Sequence, residues 1–459
     1  MMPASTLVLT KEQHEQLHHH LFPGDGLEAA AVLLCARGAG PRLRLLVRDI
    51  MLVSYGDCVR EADFLRWPGM AIENAIDAAA PDDLSLILLH SHPGGYFEFS
   101  LQDDRSDQLT IPCIFQAFGS LHGTAIMLPG GEMLARAYRS DMKPQKLELV
   151  TMAADDINLW WSDGAFFKRP MAFGAESRGE MNRLTAAIIG ASGTGSICTE
   201  QVARLGFGRI VTVDYDKVET KNLNRILNAR TADVGEYKVE VLARAVASHR
   251  GGSVSVPVPT TILDREAVQQ VSQADVIFCC VDSKEGRQIV DLIGSAFLIP
   301  IFDVGVCIPT RRAGKDLAIL DVCARVDYVR PGGPTLADRG VYTQAGLRAE
   351  YLKRTAPEKY RQEILDGYIK GSAEEAPSVI SLNMRAASDL MLEFIARVYP
   401  FRHDSNGKYA RRQLSFAAGE EEYITEAAFD VGDNPLLARG AQEPLIGLPF
   451  LSCTEPLVA

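Results

Sequence analysis

The sequence is short of several things, and each shortage removes a class of protein. Its nine cysteines are scattered, odd in number and never spaced as Cys-x-x-Cys. A disulfide framework is therefore not expected, and cysteines inside apolar runs such as "VIFCCV" suit a reducing, cytoplasmic setting. No apolar run reaches the roughly 18 residues of a membrane span. The opening "MMPASTLVLTKEQHEQ" has no basic region followed by a long apolar stretch, so neither a membrane anchor nor a secretory leader is expected. Basic charge is also in deficit: 47 Lys and Arg face 59 Asp and Glu, a net charge of −12 that has the wrong sign for a general nucleic-acid binder. Internal repeats and low-complexity tracts are absent as well.

What is present is a soluble α/β chain of 459 residues, too long for one ordinary core. Residues 1–145 read as one α/β domain. In it "EAAAVLLCARG" and "RLRLLVRDIMLVSY" form paired strands, "MAIENAIDAAA" a helix, "LSLILLHSH" a buried strand, and "GTAIMLPGGEMLARAYR" a hairpin. Residues 146–180 are mixed and polar and read as a linker, Trp160 and Trp161 included. Over 181–400 strands and helices alternate, the pattern of a parallel sheet with helices on both faces. Residues 401–459 are irregular and read as a C-terminal extension unable to fold alone.

Chemistry is concentrated in two stretches. In "HSHPGGYFEFSLQD" two histidines end a strand two residues apart, so His90 and His92 point the same way. The Pro-Gly-Gly turn lets the chain return, and Asp103 can supply a third ligand. Two imidazoles and a carboxylate suit a catalytic zinc whose fourth position is left for water. Such a site needs a base, and Glu28 is the best candidate because an acid opening a core-facing strand is out of pattern. Ser100 is placed to hydrogen-bond a developing oxyanion. The other histidine cluster, His18 to His20, reads as a solvated helix end.

The second stretch is "AAIIGASGTGS", where Gly190, Gly193 and Gly195 fall between a strand and a helix, as phosphate-approaching glycines do. Asp214 ends the next strand, where an acid binds ribose hydroxyls. Asp216, Asn222 and Arg225 follow in "DYDKVETKNLNR", and Lys238 in "GEYKVE". This much could serve NAD or ATP, but Arg225 and Lys238 supply the extra cationic charge that a triphosphate needs. Asp282, at the end of "FCCVD", could hold Mg²⁺.

The spacing H-x-H-P-x6-S-x2-D resembles the JAMM motif of MPN/Mov34-type metalloproteases, over about residues 20–140. The resemblance implies a cytidine-deaminase-like fold and cleavage of peptide or isopeptide bonds behind ubiquitin-like C-termini. It implies zinc on His90, His92 and Asp103, Ser100 beside the oxyanion, and Glu28 as base, with Glu61 and Glu73 as fallbacks. The order strand–GxxGxG–helix–strand–DxD–x5–NLNR–x12–K–strand–D resembles the ThiF/MoeB/HesA adenylyltransferases, over about residues 165–400. That resemblance implies a Rossmann-like domain that uses ATP and magnesium to adenylate the C-terminal glycine of a ubiquitin-like, β-grasp protein. By position Asp214 takes the ribose, Asn222, Arg225 and Lys238 the phosphates, and Asp282 the magnesium. It also implies a homodimer in which an arginine of the partner subunit reaches ATP; Arg169 is the candidate and Arg178 the alternative.

The chain departs from that family in lacking paired zinc-binding cysteines and a cysteine before the late helix. Cys307 and Cys323 remain as possible thioester nucleophiles but read as core thiols. The whole then reads as a bifunctional enzyme of a bacterial ubiquitin-like conjugation pathway, working with a conjugating enzyme and, by family analogy, in defence against phage. The alternatives are a sulfur-carrier pathway, a scaffold with dead sites, and an NAD-dependent dehydrogenase.

Overall fold

The computed structural model describes residues 4–167, 173–313, 316–365 and 378–453. These divide into two compact units: one holds residues up to 167 with 295–298 and 435–453, the other 173–294 with 299–434.

The first unit is built on a nine-stranded sheet. In chain order its elements are β1 (Thr6–Thr10), α1 (Lys11–Leu21), β2 (Ala30–Arg37), β3 (Arg44–Leu52), a small hairpin of β4 (Val59–Arg60) and β5 (Leu65–Arg66), and α2 (Gly69–Ala79). Then come β6 (Ser85–Ser91), α3 (Leu101–Ala117), β7 (His122–Met127), β8 (Met133–Tyr138), β9 (Gln145–Lys146), β10 (Leu149–Ala153) and β11 (Ile157–Trp161). The sheet order is β11-β10-β1-β3-β2-β6-β7-β8-β9. Its central strands are buried on both faces, which is why they read as unbroken apolar runs.

Side chains alternate across that sheet. Leu33, Ile87 and Leu89 join Leu17 and Leu21 of α1 on one face. Val32, Leu34, Leu86 and Leu88 join Ala75 and Ala79 of α2 and Ile111 and Ile114 of α3 on the other. His90 and His92 continue the even-numbered series of β6 toward the face that α3 covers.

This sheet does not stop at residue 145, as expected from sequence. β10 pairs in parallel with β1, β11 closes the edge, and Trp160 and Trp161 are buried rather than part of a linker. The cause is a pairing across the whole domain, Thr6 with Leu149 to Thr10 with Ala153, to which a local hydropathy pattern is blind.

The second unit begins with α4 (Ala175–Met181), β12 (Thr185–Ile189), α5 (Gly193–Leu205), β13 (Arg209–Val213), α6 (Lys238–Arg250), β14 (Ser255–Val258), α7 (Arg265–Val271), β15 (Val276–Cys279), α8 (Lys284–Ala296) and β16 (Ile301–Cys307). A hairpin of β17 (Thr310–Ala313) and β18 (Asp316–Ile319) follows, then β19 (Cys323–Val329), α9 (Gln344–Thr355), α10 (Pro357–Leu365), α11 (Ile380–Val398), β20 (Arg411–Ser415) and β21 (Glu420–Ile424).

Its sheet runs β14-β13-β12-β15-β16-β19-β20-β21, the first five strands parallel and the rest antiparallel. In chain order those five are third, second, first, fourth and fifth, so the strand order reverses between β12 and β15. In a doubly wound sheet that switch point is where a ligand binds, beyond the carboxyl ends of the strands. The core is aromatic: Phe394 of α11 meets Phe207, Phe278 and Phe302.

The C-terminal extension is likewise divided rather than separate. β20 and β21 lengthen the second sheet, while in the first unit the Ala441 amide donates to the Arg37 carbonyl at 2.9 Å. β21, "EEEYI", is the edge strand, and it and its neighbour β20, "RRQLS", are rich in charge and polar residues, which is why they carry no apolar alternation.

Candidate functional site

At the end of β6 the three expected ligands of the first unit converge. His90 Nε2 lies 3.1 Å from His92 Nε2 and 3.1 Å from Asp103 Oδ1, and His92 Nε2 lies 3.6 Å from Asp103 Oδ2. A tetrahedral zinc with bonds of about 2.0–2.1 Å holds its ligand atoms about 3.3–3.4 Å apart, so the donor set fits that ion. His92 Nδ1 is held by the Tyr96 carbonyl at 2.8 Å, which leaves Nε2 as the ligating nitrogen. Among the described residues this is the one His/Cys/Asp/Glu group of metal-binding geometry. His14, His18 and His20 are spent elsewhere, on carbonyls of Gly131, Pro129 and Ala30.

Asp103 is delivered by a helix start. Ser100 caps α3: its Oγ accepts from the Asp103 amide at 3.1 Å while the Asp103 carboxylate accepts from the Ser100 amide at 2.6 Å. Burial opposes the charge on Asp103, but hydrogen bonds from His90 and His92 outweigh it and hold the carboxyl well below the usual carboxylate range. Burial also works against charge on His92, yet its bonds to Asp103 and to the Tyr96 carbonyl win and raise it. Because the Ser100 oxygen accepts from the backbone, its hydroxyl proton is the group that can be donated.

Glu28 precedes β2 and is 8% exposed. Burial pushes its carboxyl up, against the pull of His90 and His92, which places it within electrostatic reach of the ligands. Glu61 and Glu73 are exposed; Glu61 meets Glu28 through its carbonyl, which accepts from the Glu28 amide at 2.8 Å.

In the second unit the glycine loop lies at the switch point. Gly190, at φ +93°, follows β12, and a Cβ there would come 2.8 Å from the Cys280 carbonyl oxygen. A Cβ on Gly195 would come 1.8 Å from the Gly190 oxygen, and one on Gly193 2.1 Å from Asn383 Nδ2 of α11. The loop is thus closed on itself and against its neighbours.

Asp214 accepts from the amides of Ala191 at 2.7 Å and Asp216 at 2.8 Å; burial raises its carboxyl while Lys238 pulls it down. Lys238, 4% exposed at the start of α6, donates to Asp216 at 2.7 Å. Asp282 is exposed just beyond β15. Asn222 is buried and its Oδ1 accepts from the Glu219 amide, which assigns any phosphate contact to its amide nitrogen. Arg225 donates to the Lys221 carbonyl at 3.1 Å.

Residues 10–139 match the family of prokaryotic homologs of the JAB domain, and residues 167–310 match the ThiF family. The chain joins a JAB-type domain to a ThiF-type domain.

Several curated relatives are similar to parts of the chain. They include the tRNA threonylcarbamoyladenosine dehydratase of Bacillus subtilis (38% identical, 18% of this chain and 32% of that one) and the ubiquitin-like modifier-activating enzyme 5 of Drosophila willistoni (27%, covering 32% and 36%). Another is the NEDD8-activating enzyme E1 catalytic subunit of Arabidopsis thaliana (33%, 24% of each chain). The chain therefore spans about a third or less of these relatives. A solved structure of E. coli MccB with succinimide is similar at a TM-score of 0.42 and 15% identity, over 57% of this chain and 68% of that one.

Two arginines and two cysteines complete the expected set. Arg169 lies outside the described residues. Arg178 sits on exposed α4 beside Gly206, at the amino-terminal edge of the ThiF-type sheet, away from Asp214 and Asp282 within one chain. Cys307 and Cys323 are not core thiols: they face each other across β16 and β19, Cys307 exposed and Cys323 half-buried, with the Cys323 thiol pushed up to about 11 by burial and Asp321.

Two residues near the sites escaped notice. Tyr215 exposes 64% of its surface, and the carboxylates of Asp216, Asp214 and Asp282 all act on its hydroxyl. Asn383 abuts the glycine loop. Only the D-Y-D and "SVISLN" contexts hinted at either. No described helix is long and apolar enough to cross a membrane.

Proposed function

We propose that the JAB-type domain is a zinc-dependent peptidase acting behind the C-terminal glycine of a ubiquitin-like protein, and that the ThiF-type domain adenylates that glycine with ATP and magnesium. The observation that carries the first half is the convergence of His90, His92 and Asp103 with the buried Glu28. Zinc on those three ligands would acidify a water and polarise the scissile carbonyl. Glu28 takes the proton of the attacking water and hands it to the leaving amine, and the Ser100 hydroxyl donates to the oxyanion.

In the ThiF-type domain the glycine loop leaves backbone room for phosphates, and Asp214 binds the ribose hydroxyls. Arg225, Lys238 and the Asn222 amide neutralise or bond the phosphates, and Asp282 holds magnesium. The substrate carboxylate attacks the α-phosphorus and pyrophosphate leaves. This half is supported by the ThiF match and by relatives named as activating enzymes. In this reading the protein works in the cytoplasm of a bacterium as a homodimer, with an arginine of the partner subunit at the ATP. It passes its product to a conjugating enzyme, in a defence pathway.

ATP–pyrophosphate exchange with small β-grasp proteins ending in glycine tests it, using wild type, Asp282→Ala and Glu28→Ala. Asp282→Ala abolishes exchange. Glu28→Ala spares exchange with a mature tail and slows cleavage of a tail extended past its glycine by about 100- to 10,000-fold, leaving a measurable residual rate. Failure of every β-grasp protein to support exchange would overturn the adenylation half.

A further inference from the structure

Glu28 stands on a segment with no regular structure of its own. Between α1 and β2, residues 22–29 form neither helix nor strand, and Gly24 and Gly26 sit at positive φ. A proton acceptor must be held within a few tenths of an ångström of its working place, and a free loop does not do that.

The restraint comes from the β4–β5 hairpin. Arg60, with a side chain 9% exposed, donates from Nε to the Glu28 carbonyl at 2.7 Å and from Nη2 to the Leu27 carbonyl at 3.3 Å. Its other edge binds the Asp25 carboxylate through Nη1 at 2.8 Å and Nη2 at 3.3 Å, and its face lies 4.3 Å from the Tyr55 ring centroid. One planar guanidinium thus ties down three residues of the loop, a geometry that a lysine cannot copy. The next residue completes the grip: the Glu61 carbonyl accepts from the Glu28 amide at 2.8 Å. On the other side Ala29 exchanges bonds with Ser91, the residue between the two histidines, so the loop is pinned to the metal-ligand strand just one residue beyond Glu28.

All the Arg60 bonds to the Glu28 segment go to backbone carbonyls and to Asp25, none of them to the Glu28 carboxylate. The carboxylate is therefore placed without being neutralised, which a base requires.

We propose that Arg60 is the positioning residue of the hydrolytic site, clamping residues 25–28 so that Glu28 faces His90, His92 and Asp103; this rests on the peptidase reading above. The test compares full-length wild type, Arg60→Met, Arg60→Lys, Glu28→Ala and the double variant Glu28→Ala/Arg60→Met. Three readouts are taken: zinc content, amide hydrogen exchange of the peptide spanning residues 22–30, and cleavage of a β-grasp protein extended by a short peptide past its terminal glycine. A displacement of about 1 Å costs on the order of 100-fold in rate.

Arg60→Met is expected to keep its zinc, speed exchange in 22–30, and lower kcat by about 10- to 100-fold with KM nearly unchanged. Arg60→Lys falls between, and the double variant is no slower than Glu28→Ala, because a residue that acts through another contributes nothing once that other is gone. Unchanged exchange in Arg60→Met, loss of zinc, or additive effects in the double variant would each overturn the proposal. If wild type cleaves no extended tail, the peptidase reading fails together with the role in hydrolysis, while hydrogen exchange still decides the clamp.

Discussion

Replacing Asp103 by asparagine separates the metal role of this residue from its structural one. The helix-start role survives, because an asparagine oxygen can still accept from the Ser100 amide, now bonded at 2.6 Å, and the Ser100 hydroxyl can still accept from the backbone amide at position 103. The helix start itself should therefore lose no more than about 1 kcal/mol. The metal role does not survive. The carboxylate is the only anion of the three donors, it lies 3.1 Å and 3.6 Å from the two imidazole nitrogens, and it is held ionised. Loss of an outer hydrogen-bonding partner of a metal ligand costs about 10- to 100-fold in affinity. Loss of a charged ligand itself should exceed that, so zinc binding should weaken by more than about 100-fold, about 2.7 kcal/mol. Competition titration against a chromophoric chelator gives the affinity, and a melting curve of the metal-free protein gives the stability. An asparagine variant that binds zinc within about threefold of wild type would refute the three-ligand site. A variant that loses metal only because it unfolds would refute the separation of roles.

Other perturbations bear on the ThiF-type domain. Lys238→Met removes a buried cation whose partner Asp216 is half-exposed and can be resolvated; the KM for ATP in pyrophosphate exchange should rise by about 10- to 100-fold, the worth of one charge-assisted hydrogen bond, with little change in melting. Gly195→Ala puts a Cβ 1.8 Å from the Gly190 oxygen. It should destabilise by about 1–3 kcal/mol and suppress exchange, while zinc content stays at the wild-type level; normal exchange would show the loop to be slack. Burial lifts the Asp291 carboxyl from 3.8 to about 7, against bonds from Leu336, Tyr342 and Ala337. Its folded value lies above its unfolded one, so the stability lent by the bound proton is complete below about pH 4 and is lost as the pH rises through about 7, at most about 4 kcal/mol. Chemical denaturation from about pH 5 to about pH 8 should show that decline, and Asp291→Asn should flatten it.

Much of the site was legible because its chemistry is written in short spacings. His90, His92, Ser100 and Asp103 all fall within one strand, one turn and one helix start, so local geometry brings them together almost unaided. The same holds for Gly190 to Gly195 on the turn from β12 into α5. Glu28 was harder, since little local pattern marks it and Glu61 and Glu73 stood behind it as fallbacks; burial and the electrostatic reach of His90 and His92 set it apart from those two. Arg60 left no mark in the sequence, because its partners are backbone carbonyls, which have no residue identity.

The sequence by itself determined the two family resemblances and the alternation of strands and helices, since both depend on residue type at fixed local spacing. Only the tertiary structure decided where the domains end and which polar groups are buried. β10 finds β1 from more than a hundred residues away, and β20 joins β19 across α9, α10 and α11. Such pairings are hydrogen bonds between main chains, chosen by the packing of the whole sheet rather than by any side chain. The placement of Glu28 followed the same rule: a carboxylate on an irregular loop acquires its position, and with it its proton affinity, from neighbours that only the folded chain supplies.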